Sequence, residues 1–147
     1  MISQKAQYAL RALIALARSG GQEALQIGDI ADAQRIPKKF LEQILLDLKH
    51  HGLVMSRRGK AGGYMLLKRP DDITFGEVLR IIDGPIAPLA CLSRMAYRRC
   101  DGCPSEEACE IRRVFAEVAA ATRAVLDGTS LARAIGLEEA PAAARAS

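Results

Sequence analysis

Cys91, Cys100, Cys103 and Cys109 fall within one 19-residue window, spaced C-x8-C-x2-C-x5-C, and are the only cysteines of the 147-residue chain. Four thiols this close in sequence are suited to zinc, to an iron-sulfur cluster, or to reversible dithiol chemistry. Structural zinc sites commonly pair two close C-x2-C knuckles, whereas only Cys100 and Cys103 have that spacing here, so spacing alone supports zinc and cluster equally. Arg94, Arg98, Arg99, Arg112 and Arg113 flank the thiols. Such cations lower thiol pKa values and offset the charge of a thiolate-bound cluster, which suits all three chemistries.

A chain of this length buries roughly two-thirds of its unfolded surface and needs no disulfide staples. The opening stretch MISQKAQYALRALIALARSG reads as no signal peptide, because Lys5, Arg11 and Arg18 interrupt its apolar positions. No apolar run approaches a membrane span. The expectation is a cytoplasmic protein with no membrane partner, a setting in which clustered thiols serve metal or redox chemistry. Residues 1–70 carry 12 Lys+Arg against 5 Asp+Glu, or +7, and residues 71–147 carry 9 against 12, or −3. The basic half is therefore the candidate for a polyanionic partner.

The elements around the thiols follow from periodicity. Ala6, Ala9, Leu10, Leu13, Ile14, Leu16 and Ala17 recur at helical spacing, with Ser3 as cap and Gly20 and Gly21 as stop. A short amphipathic stretch with Ile27, Ile30 and Ala31 on one face breaks near Gln34 and Arg35. A second helix then opens with Pro37 in its first turn, buries Phe40, Leu41, Ile44, Leu45 and Leu48, and stops at Gly52. Two short helices so arranged make a helix-turn-helix. Lys38, Lys39, Glu42 and Gln43 lie on its outward side near the amino end, where a recognition helix meets base edges.

Leu53 to Leu67 reads as a hairpin whose basic, flexible tip spans Arg57, Arg58, Gly59, Lys60, Ala61, Gly62 and Gly63, with Tyr64 following. A lone basic loop is usually a solvated hairpin, but directly after a recognition helix it reads as a wing that contacts phosphate or the minor groove. Ile73 to Asp83 is expected to be another amphipathic helix, with Phe75, Val78, Leu79 and Ile82 inward, ended by Gly84, Pro85 and Pro88. Residues 90–109 lack periodicity and read as a loop. A long helix is predicted from about Ser105 to Leu126, with Ser105, Glu106 and Glu107 at its start and Asp127-Gly128 at its end. Ile111, Val114, Val118, Ala121 and Val125 mark one of its faces, widened by Phe115 and Leu126, and the helix exceeds the small core available to it. Dimerisation is its natural use. The chain thus divides into 1–83, a winged helix-turn-helix unit; 84–109, a cysteine loop; 105–135, a dimerisation helix and C-terminal segment; and 136–147, a tail whose composition predicts disorder. The fold class is mainly α with a small β-hairpin wing.

Taken together, YALRALIALA at Tyr8 to Ala17, IADAQRIPKKFLEQIL, the wing RRGKAGGYML, FGEVLRIIDG and the cysteine loop before a long helix resemble the Rrf-two superfamily of bacterial winged-helix transcription regulators, the group that includes IscR, NsrR, RirA and CymR. The resemblance covers residues 1 to about 135 and implies a homodimer with crossed long helices, an iron-sulfur cluster in each loop, and DNA affinity that follows cluster state. It further implies that Cys91 matches the first family cysteine and Cys103-x5-Cys109 the last two, which leaves Cys100 as an addition. The histidine that some relatives carry three residues after the last cysteine is replaced by Arg112. The first helix offers Gln7 and Tyr8 in place of an acidic ligand, and His50 and His51 lie at the end of the recognition helix. Cys100 is thus either the fourth thiolate ligand, with a 4Fe-4S cluster preferred over 2Fe-2S, or free beside an open iron position.

The expected activity is that of a transcriptional regulator, a repressor, reading a pseudo-palindromic operator in double-stranded DNA through Lys38, Lys39 and Gln43, with Glu42 accepting from a cytosine amino group. Zinc or a thiol switch remains the alternative at the cysteines, and a cluster-free protein-interaction module is the alternative for the whole chain. An enzyme is not expected. The G-K-A-G-G of the wing lacks the strand-loop-helix context of a phosphate loop, and the C-x2-C pair lacks the strand-helix-strand unit of a thiol oxidoreductase.

Overall fold

The computed structural model describes residues 2–20 and 23–137. Gly21 and residues 138–147 of the expected tail therefore lie outside the described residues.

Helix α1, Gln4–Arg18, forms the centre of the fold. Ser3 caps it as its sequence predicts, its Oγ accepting from the Ala6 N–H at 3.0 Å. Its buried side is rich in alanine, Ala6, Ala9, Ala12 and Ala17 beside Leu10, Leu13 and Leu16. Small side chains there let α2, α3 and α4 all pack against it.

Helices α2, Ile27–Gln34, and α3, Lys38–His50, form the expected helix-turn-helix. The break between them is tight because Arg35 adopts φ 55°, the left-handed region, and the next N–H, that of Ile36, returns to Ala31 O at 2.9 Å. Ile36 is thereby turned into the core, 4% exposed. Pro37 stands one residue outside α3, at its N-cap, rather than inside the first turn. Its carbonyl accepts from Leu41 N, so the ring precedes the helix without costing it a donor. Leu41, Ile44, Leu45 and Leu48 are fully buried as predicted, while Phe40 is half-buried and meets Tyr8 edge to face, ring centroids 5.6 Å apart.

Strands β1, Val54–Arg57, and β2, Gly63–Leu66, pair antiparallel with Val54 opposite Leu66 and Arg57 opposite Gly63. Arg57 and Gly63 therefore belong to the ladder, and the free tip is shorter than the sequence suggests. The hairpin root is pinned by Leu25, which exchanges two backbone hydrogen bonds with Tyr64, 2.8 and 2.7 Å. That close approach requires glycine at position 63: φ is +141°, and a Cβ there would stand 2.2 Å from Leu25 O.

Helix α4, Phe75–Asp83, starts two residues later than expected, because Thr74 takes the cap, accepting from Glu77 N at 3.1 Å, and Ile73 before it is buried. After an irregular stretch containing a 3₁₀ turn at Ala90–Leu92, helix α5 spans Glu110–Gly128. The predicted start at Ser105 is corrected: Ser105 Oγ closes only a local turn with Ala108 N, and Cys109 is the cap residue. The helix is roughly 28 Å long at 1.5 Å per residue. A short helix α6, Leu131–Ala134, which periodicity did not reveal, returns the chain to the body. Thr74 and Ser130 form a bridge, Leu131 N donates to Ile73 O at 2.9 Å, and Leu131 is fully buried in the core with α1.

Candidate nucleic-acid interface and cysteine site

Lys38, Lys39, Glu42 and Gln43 are all exposed on the first two turns of α3. A shallow groove of about 360 Å³ joins this helix to the hairpin, and Lys38, Glu42, Arg57, Gly59, Gly62, Gly63 and Tyr64 all line it. Lys39, Gln43, Arg58 and Lys60 stand outside its walls, exposed on the same helix and hairpin. The groove also includes Gln26 and Gly28 at the start of α2, which no sequence motif singles out. Gln26 Nε2 donates to Lys60 O at 3.5 Å, an approach that no local pattern encodes. Gly62 is buried at the wing tip, where a Cβ would stand 2.5 Å from Arg57 O.

The recognition-helix candidate is anchored from behind. Lys5 Nζ reaches Asp47 Oδ2 at 2.9 Å, and this ion pair, first by its hydrogen bond, holds the Asp47 carboxyl below the usual carboxylate range. Lys49 Nζ donates to Ser56 Oγ at 2.8 Å, linking the other end of α3 to β1. His50 and His51 lie at that end and do not line the cysteine cavity.

The four cysteines, all reduced, line one cavity of about 390 Å³ at the amino end of α5. Cys91 is buried in the 3₁₀ turn, Cys103 and Cys109 are half-buried, and Cys100 is exposed. Cys100 and Cys103 share a tight turn, Cys103 N donating to Cys100 O at 3.2 Å, while Arg99 Nη2 donates to Cys103 O at 3.0 Å. Cys109 Sγ accepts from Arg112 N at 3.4 Å, so one thiol is also the helix cap. Desolvation, and after it the neighbouring thiols of Cys91 and Cys103, push the Cys100 pKa up.

The chemistry of this donor set fits a thiolate-bound metal group. Arg112 adds a second indication: it lines the same cavity, its Nη2 donates to Cys91 O at 3.5 Å, and its Nε is buried with no hydrogen-bond partner among the described residues. A buried donor left without an acceptor costs about 1–3 kcal/mol, which an anionic occupant of the cavity would recover. Among the described residues, no three His, Cys, Asp or Glu side chains converge on a single metal-ion position. The other flanking arginines, Arg94, Arg98, Arg99 and Arg113, are exposed.

From the cavity, the apolar stripe of α5 runs into solvent. Ile111 is 62%, Val114 59% and Val125 64% exposed, and Phe115, Val118 and Ala121 are exposed with them. The helix touches the body instead through Ala119, which is buried, and Leu126, which is half-buried. A contiguous uncovered stripe of this kind differs from scattered surface apolar residues. No helix among the described residues is long and apolar enough to cross a membrane.

A helix-turn-helix followed by a two-stranded hairpin, with a basic face across both, defines a winged-helix DNA-binding regulator of transcription. Residues 2–136 match the Rrf2 family, described as iron-dependent transcriptional regulators, and the chain belongs to that family. It is 53% identical over 134 residues to a putative HTH-type transcriptional regulator, rrf2-like, of Rhodobacter capsulatus, covering 89% of each chain. Its fold is similar to that of CymR, the global cysteine regulator of Bacillus subtilis, with TM-score 0.78, 30% identity, and 95% of this chain and 98% of that one covered. It is likewise similar to IscR of T. potens, with TM-score 0.70, 26% identity, and 99% and 96% covered. These relatives are transcription regulators and not enzymes, in agreement with the expectation from sequence.

Proposed function

We propose that this regulator is a cytoplasmic homodimeric repressor whose affinity for a pseudo-palindromic operator is switched by an iron-sulfur cluster held at Cys91, Cys100, Cys103 and Cys109. The observation that carries the reading is that four thiols spread over the loop line one cavity against the first turn of α5. The cavity, about 390 Å³, has room for a polynuclear group. The description of the family as iron-dependent supports the same choice. Four thiolates from one chain suffice for a 4Fe-4S cluster, preferred here over 2Fe-2S.

When bound, such a cluster supplies a reversible redox couple and iron-thiolate bonds that can be broken. The protein's own residues supply the readout. Cys91 sits in a turn packed near the body, and Cys109 caps α5, so the conformation that the thiols share sets the start of the helix bearing the apolar stripe. That stripe is the surface on which two copies pair. In the division of labour, residues 1–83 read DNA, 84–109 hold the cluster and 105–135 dimerise. On DNA, Lys38, Lys39, Glu42 and Gln43 face base edges, and Arg57, Arg58 and Lys60, on a backbone bent at Gly59, Gly62 and Gly63 beside Tyr64, hold the flanking phosphates.

The test is anaerobic purification with visible absorption and counts of iron, sulfide and zinc per chain. Broad visible absorption with near-stoichiometric iron and sulfide is expected. A colourless protein with one zinc per chain would refute the cluster.

A thiol switch is the second reading. It is favoured by four thiols, none in a disulfide, lining one cavity, and by the similarity to a global cysteine regulator. Metal-free protein whose DNA affinity changes with a dithiol reductant would support it over the cluster.

A further inference from the structure

We propose that Arg112 is the residue that places positive charge and a hydrogen-bond donor against the group in the four-cysteine cavity and so raises its electron affinity; this rests on the cluster reading above. Arg112 lies three residues after Cys109, one helical turn on, where i and i+3 side chains share a face. Its position is determined at both ends, by its backbone N–H on Cys109 Sγ and its Nη2 on Cys91 O. Between them the Nε–H is buried without an acceptor, and Arg112 forms no ion pair among the described residues.

A guanidinium stays protonated, so its charge cannot be relieved by titration, and a buried unpaired donor requires an acceptor. Asp101, Ser105, Glu106 and Glu110 also line the cavity, but none of their oxygens meets the Nε–H, and the residues that Arg112 does reach, Cys91 and Cys109, would hold the sulfurs of a bound group beside it. The amino end of α5, carrying the partial positive charge of the helix, adds to the same field. Reduction adds one negative charge to a thiolate-bound cluster, and hydrogen bonds to its sulfurs together with nearby cations favour the more negative state. Arg112 is thus a tuning residue and not a ligand. The surrounding arginines do not share the role, since Arg94, Arg98, Arg99 and Arg113 are exposed to solvent.

The experiment is anaerobic potentiometric titration of wild-type protein and of Arg112→Met, each followed by its visible spectrum and by iron and sulfide counts. With the metal content retained, Arg112→Met should shift the reduction equilibrium at least tenfold towards the oxidised state, about 59 mV lower for one electron. Arg112→Lys, which keeps the charge and lacks the Nε–H, should fall between the two. Equal potentials in wild type and Arg112→Met would overturn the assignment of Arg112 and leave the cluster reading intact. Wild-type protein with neither iron nor sulfide after anaerobic reconstitution would bring down both. If Arg112→Met does not fold by circular dichroism, Arg112→Lys decides, and a wild-type potential in that variant overturns the role of the Nε–H.

Discussion

Arg80 grips Asp127 with both prongs of its guanidinium, Nη1 to Oδ1 at 2.6 Å and Nη2 to Oδ2 at 3.0 Å, and so fastens α4 to the far end of α5. The pair passes over Gly76, where a Cβ would stand 2.0 Å from Asp127 Oδ1 and 2.9 Å from Arg80 Nη1. Further polar links continue through the body: Asp83 at the end of α4 accepts from Ser3 at the cap of α1, and Lys5 of α1 holds Asp47 of α3. The helix that starts at a cysteine and the helix that presents Lys38 are thereby braced to the same central element.

Gly76→Ala should push Asp127 away and loosen this brace. Bidentate geometry lifts the pair above an ordinary surface bridge, but Asp127 is 44% exposed, so the ion pair itself contributes under about 1 kcal/mol. Crowding of the new methyl adds to that. Thermal unfolding should show Gly76→Ala less stable than Arg80→Ala, and equal stability of the two would contradict the steric argument.

The acid limb of stability should depend on Asp127 and Asp47. The Arg80 hydrogen bond lowers the first carboxyl below 3.8 and the Lys5 hydrogen bond lowers the second. A depressed folded pKa contributes stability that is complete above the unfolded value of about 3.8 and is lost as pH falls through the lower folded value. Denaturant midpoints of Asp127→Asn and Asp47→Asn should therefore lie below wild type at pH 7 and approach it as pH falls below 3.8 through the depressed folded values. A gap that stays constant across this window would assign the effect to packing.

Gly63→Ala should unseat the wing root. The backbone angle there disfavours any side chain, and the methyl would meet the carbonyl of Leu25. A cost of about 2 kcal/mol or more is expected, with loss of protection of the Leu25 and Tyr64 amides in hydrogen exchange. Unchanged protection would refute the anchoring role.

Arg58→Ala should weaken binding to all DNA sequences alike and flatten the dependence of log K on log salt by about 0.9 for each phosphate that is no longer neutralised. Fluorescence anisotropy over a salt series with specific and unrelated duplexes measures both. A changed sequence preference at constant slope would mean that Arg58 reads bases.

Val114→Asp combined with Val118→Asp should convert a dimer to monomer while leaving the helical content of the body unchanged, because both side chains face solvent in the single chain. Sedimentation velocity gives the answer, and an undisturbed dimer would move the interface off α5.

Much of the fold was legible because its signals are local. Ser3 announces a cap, the apolar spacing in α1 and α3 announces buried faces, and Gly52 and Gly84 announce stops. The cysteine spacing alone pointed to a thiol site, and the wing and recognition candidates were readable from charge placed after a helix-turn-helix pattern. Tertiary structure decided what interactions between distant residues determine. Ser105 and Cys109 both carry cap-capable side chains, and only the packed loop assigns the cap of α5 to Cys109 and leaves Ser105 in a turn. Leu25 joins the wing through backbone bonds, which no side-chain pattern encodes, and Leu131 enters the core by a return of the chain after α5. In sequence Arg112 is one of five interchangeable arginines. Burial between Cys91 and Cys109 distinguishes it, since charge is set by residue type but desolvation is set by the neighbours that folding brings together.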